Sequence, residues 1–151
     1  TGHLVFSTLH TNSAAGALTR LLDMGIDGYL IGATIRAVAA QRLVRRLCPK
    51  CHGVPAQPVN GHYSVCDTCR GSGYSGRTVA YEILDVTPEI ASMISRGAGE
   101  EQLQASAMAN GYVTMSAQAG RLVAEGVTTR EEVQRVLSLD LTTDLADEIL
   151  Q

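Results

Sequence analysis

Tryptophan is absent from this chain, phenylalanine occurs once, at Phe6, and Lys50 is the single lysine among 151 residues. With only five tyrosines besides, no large aromatic cluster can organise the interior. The core must rest on Leu, Val, Ile and Ala, which favours close packing of helices. No uninterrupted apolar run reaches the ~18 residues of a membrane-spanning helix, so such a helix is excluded. No basic leader precedes the first apolar run, Leu4-Val5-Phe6, so no secretory signal peptide is expected. A basic surplus is lacking too: 12 Lys+Arg stand against 15 Asp+Glu, for a net charge of −3. That balance argues against a dedicated nucleic-acid binder. With 18% charged and 45% hydrophobic residues the composition is that of a globular protein, of a length suited to one domain or two small ones. The chain opens on Thr1 rather than Met and is expected to be part of a longer protein, with catalytic parts upstream.

Leu4 to Leu9 is apolar and partly β-branched, and predicts a buried strand. Thr11 or Asn12 then caps a helix whose face carries Ala14, Leu18, Leu21 and Leu22, with Gly25 as its stop. A second helix is expected over about Tyr29 to Ala40, and Gln41 to Leu47 leads onward. Strand, helix, helix is an α/β pattern, and the strand end at His10 is where such folds place ligands. From Cys48 to Arg77 the composition shifts to Cys, Gly, Pro and small polar residues, a loop-rich insert with little to bury. Thr78 to Val86 returns as a strand or closing segment. After Pro88 the pattern is helical: about Glu89 to Ser95, about Glu100 to Ala109, then a helix with Met115, Ala119, Leu122 and Val123 inward, ending near Gly126. A last helix starts at Thr129, which forms a capping box with Glu132, and buries Val133, Val136 and Leu137. The tail from Asp140 to Gln151 is acidic and could add a short helix through Leu141, Leu145 and Ile149.

Cys48-Pro49-Lys50-Cys51 and Cys66-Asp67-Thr68-Cys69 form two Cys-x-x-Cys pairs. Each pair lets two thiolates reach one ion from a tight turn, and two turns complete a tetrahedron. Gly53 and Gly71 each stand two places after their pair's second cysteine. A glycine there permits a positive φ, which turns backbone amides toward the sulfurs. The spacing points to a structural zinc site, all four positions filled by protein, whose loss unfolds the excursion locally. A disulfide framework would need an oxidising compartment, and a thioredoxin-like pair would need only one motif. Iron in a rubredoxin-like site stays open, since thiolate tetrahedra accept it. His52 and His62 flank the cysteines and read as solvent-facing loop residues. His10, judged by its chemistry alone, reads as an exposed neighbour of a helix cap, and His3 as a strand-entry residue.

Thr1-Gly2-His3-Leu4-Val5-Phe6-Ser7-Thr8-Leu9-His10-Thr11-Asn12 resembles the His box of the ATPases that drive type II secretion and type IV pilus assembly. The resemblance continues through Ala14-Ala15, Thr19 to Gly25 and Gln41 to Pro49. It resumes at Cys66 to Cys69, Gly71, Gly73-Tyr74, Gly76-Arg77 and Tyr81-Glu82, and covers about residues 1 to 137. It implies an α/β fold: residues 1–47 as part of a RecA-like motor core, 48–77 as an inserted tetracysteine zinc excursion, and 78–139 as a closing strand with a C-terminal helical subdomain. Residues 140–151 remain an acidic tail. It further implies a cytoplasmic homo-hexamer that binds ATP with Mg²⁺ and works on an inner-membrane platform protein, peripheral to that membrane through its partners. His10 then matches the histidine near the γ-phosphate, and Cys48, Cys51, Cys66 and Cys69 match the zinc ligands. Arg42 is a candidate nucleotide contact; together with Arg45 and Arg46 it could equally meet a neighbouring subunit or acidic lipid. A solvated basic turn that balances the thiolate charge explains the three arginines more simply. Glu82 is expected to tie the excursion back to the core.

The sequence departs from the family at one point of consequence. It contains no Gly-x-x-x-x-Gly-Lys-Ser/Thr loop and no acidic Walker B segment, and Lys50 sits between cysteines. Without these groups phosphate is not cradled and Mg²⁺ is not held, so this chain alone is expected to hydrolyse nothing. The alternative function is a zinc-ribbon module that binds nucleic acid or protein; the acidic balance and the lack of aromatics among the bases near the knuckles count against it. A chaperone-type zinc domain is a third reading, since Cys66 to Gly73 fits Cys-x-x-Cys-x-Gly-x-Gly, but that motif occurs once where such domains repeat it.

Overall fold

The structure is a computed structural model that describes residues 2–54, 58–59, 62–63 and 65–137. The expected tail helix from Asp140 to Gln151 lies outside these residues. Among the described residues, six helices and four strands follow in the order α1 (Ala14–Asp23), α2 (Gly28–Thr34), β1 (Ala37–Leu47), β2 (Pro58–Val59), β3 (His62–Tyr63), β4 (Tyr74–Asp85), α3 (Pro88–Ser95), α4 (Glu100–Ala109), α5 (Met115–Ala124) and α6 (Arg130–Leu137). They form two compact units. One holds the residues up to Ala40 with Glu82–Thr114, the other Gln41–Tyr81 with the residues from Met115 on.

In the first unit the expected strand at Leu4–Leu9 does not form. The segment has no regular structure, and Leu4, Val5 and Phe6 are 75%, 78% and 88% exposed. A strand needs a neighbour to take up its N–H and C=O groups, and among the described residues none pairs with it. Helix α1 is capped by Ser13, one residue beyond the expected Asn12: its hydroxyl accepts from Gly16 N at 2.9 Å. Thr11 instead donates to Ser13 O. Ala14 and Leu18 are buried, Leu21 and Leu22 half-buried, and Gly25 ends the helix at φ +82° as the sequence implies. Helix α2 stops at Thr34, well short of Ala40, because Ile35 turns extended and the chain enters β1. The alanine-rich run reads helical by propensity, but pairing with β4 overrides it.

Helix α2 packs on α3 through its glycines: a Cβ on Gly28 would stand 2.6 Å from Ile94 O, and one on Gly32 3.0 Å from Ala91 O. Helix α4 packs on both α1 and α3. Leu18, Ile31, Leu84, Ile90, Ile94 and Leu103 fill this core without an aromatic ring among them.

Strands β1 and β4 pair in a two-stranded sheet. Cys48 N donates to Gly73 O at 2.9 Å beyond one end, and Val86 N to Arg36 O at 2.9 Å beyond the other, so the strands run antiparallel. β4 starts at Tyr74, ahead of the expected Thr78, and alternates cleanly: Ala80, Glu82 and Leu84 are buried, Tyr81, Ile83 and Asp85 exposed. Within the cysteine excursion β2 and β3 form a small antiparallel ladder, Pro58 opposite Tyr63 and Val59 opposite His62, so His62 sits in a strand rather than a loop.

In the second unit α5 packs against α6, with Met115, Ala119 and Val133 buried and Leu122, Val123, Val136 and Leu137 half-buried. Thr129 caps α6 as expected, its hydroxyl accepting from Glu132 N at 3.2 Å. The reciprocal half of the capping box is not made, because the Glu132 carboxylate is held elsewhere.

Candidate metal centre and its neck

The two cysteine turns are built alike. In the first, His52 N donates to Cys48 O at 2.8 Å and Val54 N to Cys51 O at 2.9 Å. In the second, Arg70 N donates to Cys66 O at 2.7 Å and Ser72 N to Cys69 O at 3.1 Å. Both turns place two consecutive residues in the left-handed region, His52 (φ +50°) with Gly53 (+78°), and Arg70 (+53°) with Gly71 (+82°). The glycines act as the sequence implies. Gly53 N–H reaches Cys51, and the N–H groups of Gly71 and Gly73 reach Cys69.

The four Sγ atoms lie within 4.8 Å of one another, with Cys48···Cys66 at 3.8 Å and Cys51···Cys69 at 3.6 Å. An ion held tetrahedrally at the Zn–S distance of ~2.3 Å requires sulfur–sulfur edges of about 3.8 Å. A disulfide would require ~2.05 Å, and all four cysteines are free thiols. The donor set therefore fits a tetrahedral thiolate metal and not a pair of bridges. Cys48 and Cys69 are buried, Cys51 and Cys66 half-buried. Burial, reinforced by the hydrogen bond with Cys69, pushes Cys51 up to about 12. Burial also opposes ionisation of Cys69, yet the N–H groups of Gly73 and Gly71 and the Cys51 and Cys66 thiols draw it down to about 6. One thiol ionises readily and its neighbour resists, as expected where adjacent sulfurs cannot all carry charge without a cation among them. Lys50 and Asp67 link the two turns at 2.5 Å, each stabilising the other's charged form. Both are exposed, so the pair adds little stability.

The excursion leaves β1 and rejoins at β4, and a polar network closes this neck. Glu132, its side chain fully buried, accepts from Arg45 N (3.0 Å), Arg45 Nε (2.9 Å), Arg45 Nη2 (2.7 Å), Arg135 Nε (2.9 Å) and Arg135 Nη2 (2.7 Å). The Arg135 bonds, then those from Arg45, hold its carboxyl down at about 2 although burial opposes them. The Arg45 guanidinium lies 4.1 Å from the centre of the Tyr74 ring, a cation–π contact. The expectation of a solvated basic turn is thus wrong for Arg45, which sits in a strand and is committed to Glu132 and Tyr74. The sequence marks Glu132 only as a capping residue; no local pattern marks its pairing with Arg45, which lies on a distant element.

Arg42 is half-buried on β1, its guanidinium donating to Gln41 O at 3.3 Å. His10 is exposed, just ahead of α1 in the first unit, whereas Arg42 and the cysteines belong to the second. Glu82 is buried and accepts from Ala14 N at 2.6 Å, placing a carboxylate at the N-terminus of α1. It also hydrogen-bonds Tyr112, whose ionisation burial and this carboxylate together disfavour. Glu82 therefore anchors α1, not the cysteine excursion as its position in the sequence suggested.

Residues 1–135 match the family of type II/IV secretion system proteins. The chain belongs to that family. Among its relatives, the type II secretion system protein HxcR of Pseudomonas aeruginosa is 43% identical over 137 residues, 90% of this chain and 29% of the relative. A type II secretion system protein E of the same species is 44% identical over 90% of this chain and 30% of its own length. The type IV pilus assembly ATPase TfpB of Acinetobacter baylyi is 39% identical over 92% of this chain and 27% of its own. The chain thus spans under a third of the length of each of these relatives. No helix among the described residues is long and apolar enough to cross a membrane.

Proposed function

We propose that this chain is the C-terminal portion of a cytoplasmic hexameric ATPase that powers type II protein secretion or type IV pilus assembly, acting on an inner-membrane platform protein. The observation that carries the reading is the similarity along residues 1–135 to proteins of both machines, one of them named a pilus assembly ATPase. That similarity extends well beyond Cys48–Cys69, which favours the motor over a free-standing zinc-ribbon module. On this reading residues 1–47 belong to a RecA-like core, 48–77 are the zinc excursion, β4 is the closing strand and the helices after Pro88 are a C-terminal helical subdomain.

Cys48, Cys51, Cys66 and Cys69 would hold Zn²⁺, which when bound supplies a cross-link between two turns that have almost no core of their own. The zinc role is structural, since the thiolates fill every coordination position. ATP and Mg²⁺ belong to the longer protein. This chain has no phosphate loop, and its one lysine is paired with Asp67. His10 is assigned the contact that reports the γ-phosphate, by donating an imidazole N–H, and Arg42 a nucleotide contact. His10 is exposed and Arg42 half-buried.

The test is ATP turnover by the longer protein and by this chain. The longer protein should hydrolyse ATP, His10→Ala should slow it at least tenfold without changing its oligomeric state, and this chain alone should be inactive. Turnover by this chain, or wild-type turnover in the His10 variant, would contradict the assignment.

A further inference from the structure

The corner between α5 and α6 grips both strands that enter and leave the cysteine excursion. On the β1 side, Leu47 N donates to Val127 O at 2.9 Å, Thr128 Oγ1 donates to Arg45 O at 2.7 Å, and Glu132 receives both the backbone and the guanidinium of Arg45. On the β4 side, the Tyr74 hydroxyl and Thr129 Oγ1 hydrogen-bond at 2.7 Å, while the Tyr74 ring lies against Arg45. Cys48 N to Gly73 O then closes the neck one residue beyond Leu47 and one before Tyr74.

Every one of these contacts is adjacent to a cysteine turn. Cys48 directly follows Leu47, and Cys69 stands one turn ahead of Gly73 and Tyr74. Separation of the two strands here would carry Cys48 and Cys51 away from Cys66 and Cys69. The carboxylate that prevents it is buried and reaches Arg45 from α6, an element that supplies no sulfur. We propose that Glu132 is a positioning residue for the four-cysteine site: by locking Arg45 over Tyr74 it sets the spacing of the two cysteine turns, so that metal occupancy and the docking of α6 on the neck are thermodynamically linked. The inference rests on the metal reading above. Linkage makes it reciprocal: a group that favours the metal-bound arrangement must itself be favoured by the metal.

The experiment measures zinc affinity of the 151-residue chain by competition with a chromophoric chelator, and amide hydrogen exchange in α6 with and without zinc. The wild type should bind one zinc per chain. Glu132→Gln should weaken binding at least tenfold, within the range typical of residues that orient metal ligands from behind. Val133→Ala, which trims the same helix but removes none of the neck's hydrogen bonds, should stay within threefold. Removal of zinc should speed exchange of the α6 amides in the wild type and change it little in Glu132→Gln. If Glu132→Gln does not fold, Tyr74→Phe decides, since it keeps the ring beneath Arg45 but loses the bond to Thr129; a loss of affinity beyond that of Val133→Ala supports the proposal. Wild-type zinc binding with unchanged affinity in the neck variants, or an equal loss in Val133→Ala, overturns this inference and leaves the metal reading intact. Absence of zinc binding in the wild type overturns both.

Discussion

Acid should dismantle the neck through one carboxylate. Glu132 titrates at about 2 in the folded chain against an ordinary 4.5. Its folded value is depressed, so its contribution is fully present above pH 4.5 and is lost as the pH falls through about 2. That displacement corresponds to about 3 kcal/mol at ~1.4 kcal/mol per pKa unit. Arg45 and Arg135 are 44% and 60% exposed, so water screens part of the attraction, and about 2 kcal/mol is the better expectation. Glu132→Gln mimics the protonated form. The assay is urea unfolding of both proteins from pH 7 to pH 2, with reductant and chelator present so that metal release affects neither. The variant should be less stable by about 2 kcal/mol at pH 7, the gap narrowing below pH 4.5 and closing near pH 2. A gap of constant size across the range would refute the reasoning, because it would assign the loss to packing rather than to the ion pairs.

Other substitutions test the packing. Gly28→Ala should destabilise the chain by about 1–3 kcal/mol in thermal melts despite a better helix propensity, because the new Cβ meets backbone at Ile94 that cannot yield. Gly99→Ala, with nothing within 4 Å, serves as the contrast. Ser13→Ala removes the cap of α1 and its bond to Glu100, and should cost about 1 kcal/mol by urea unfolding. Leu18→Ala in the first core should cost about 2–5 kcal/mol, read by the same method.

Two of the helices after Pro88 are legible from their own punctuation, Pro88 in the first turn of α3 and Thr129 ahead of α6, and α4 spans Glu100–Ala109 as its pattern implies. The clustering of the four cysteines is legible for a similar reason, since each pair closes on itself within a few residues and Gly53 and Gly71 adopt the positive φ their positions demand. What failed was long-range. Leu4–Leu9 has the composition of a strand, but a strand exists only with a neighbour to pair with, and sequence alone does not name the neighbour. Ala37–Ala40 has the composition of a helix and lies in β1 because β4 is there to receive it. Glu132 and Glu82 are the same lesson at the level of side chains. The sequence pattern puts each on its element, and each commits its carboxylate to a residue far away in the sequence, Arg45 and Ala14.

The proposed role of the excursion depends on the four cysteines acting as one metal site. Metal content per chain after purification under reducing conditions tests this most directly, with circular dichroism before and after chelation. One zinc per chain, and chelation that loosens the excursion while the helices of the first unit persist, is the predicted result. No metal bound to fully reduced thiols, or a spectrum indifferent to chelation of a loaded site, would contradict it.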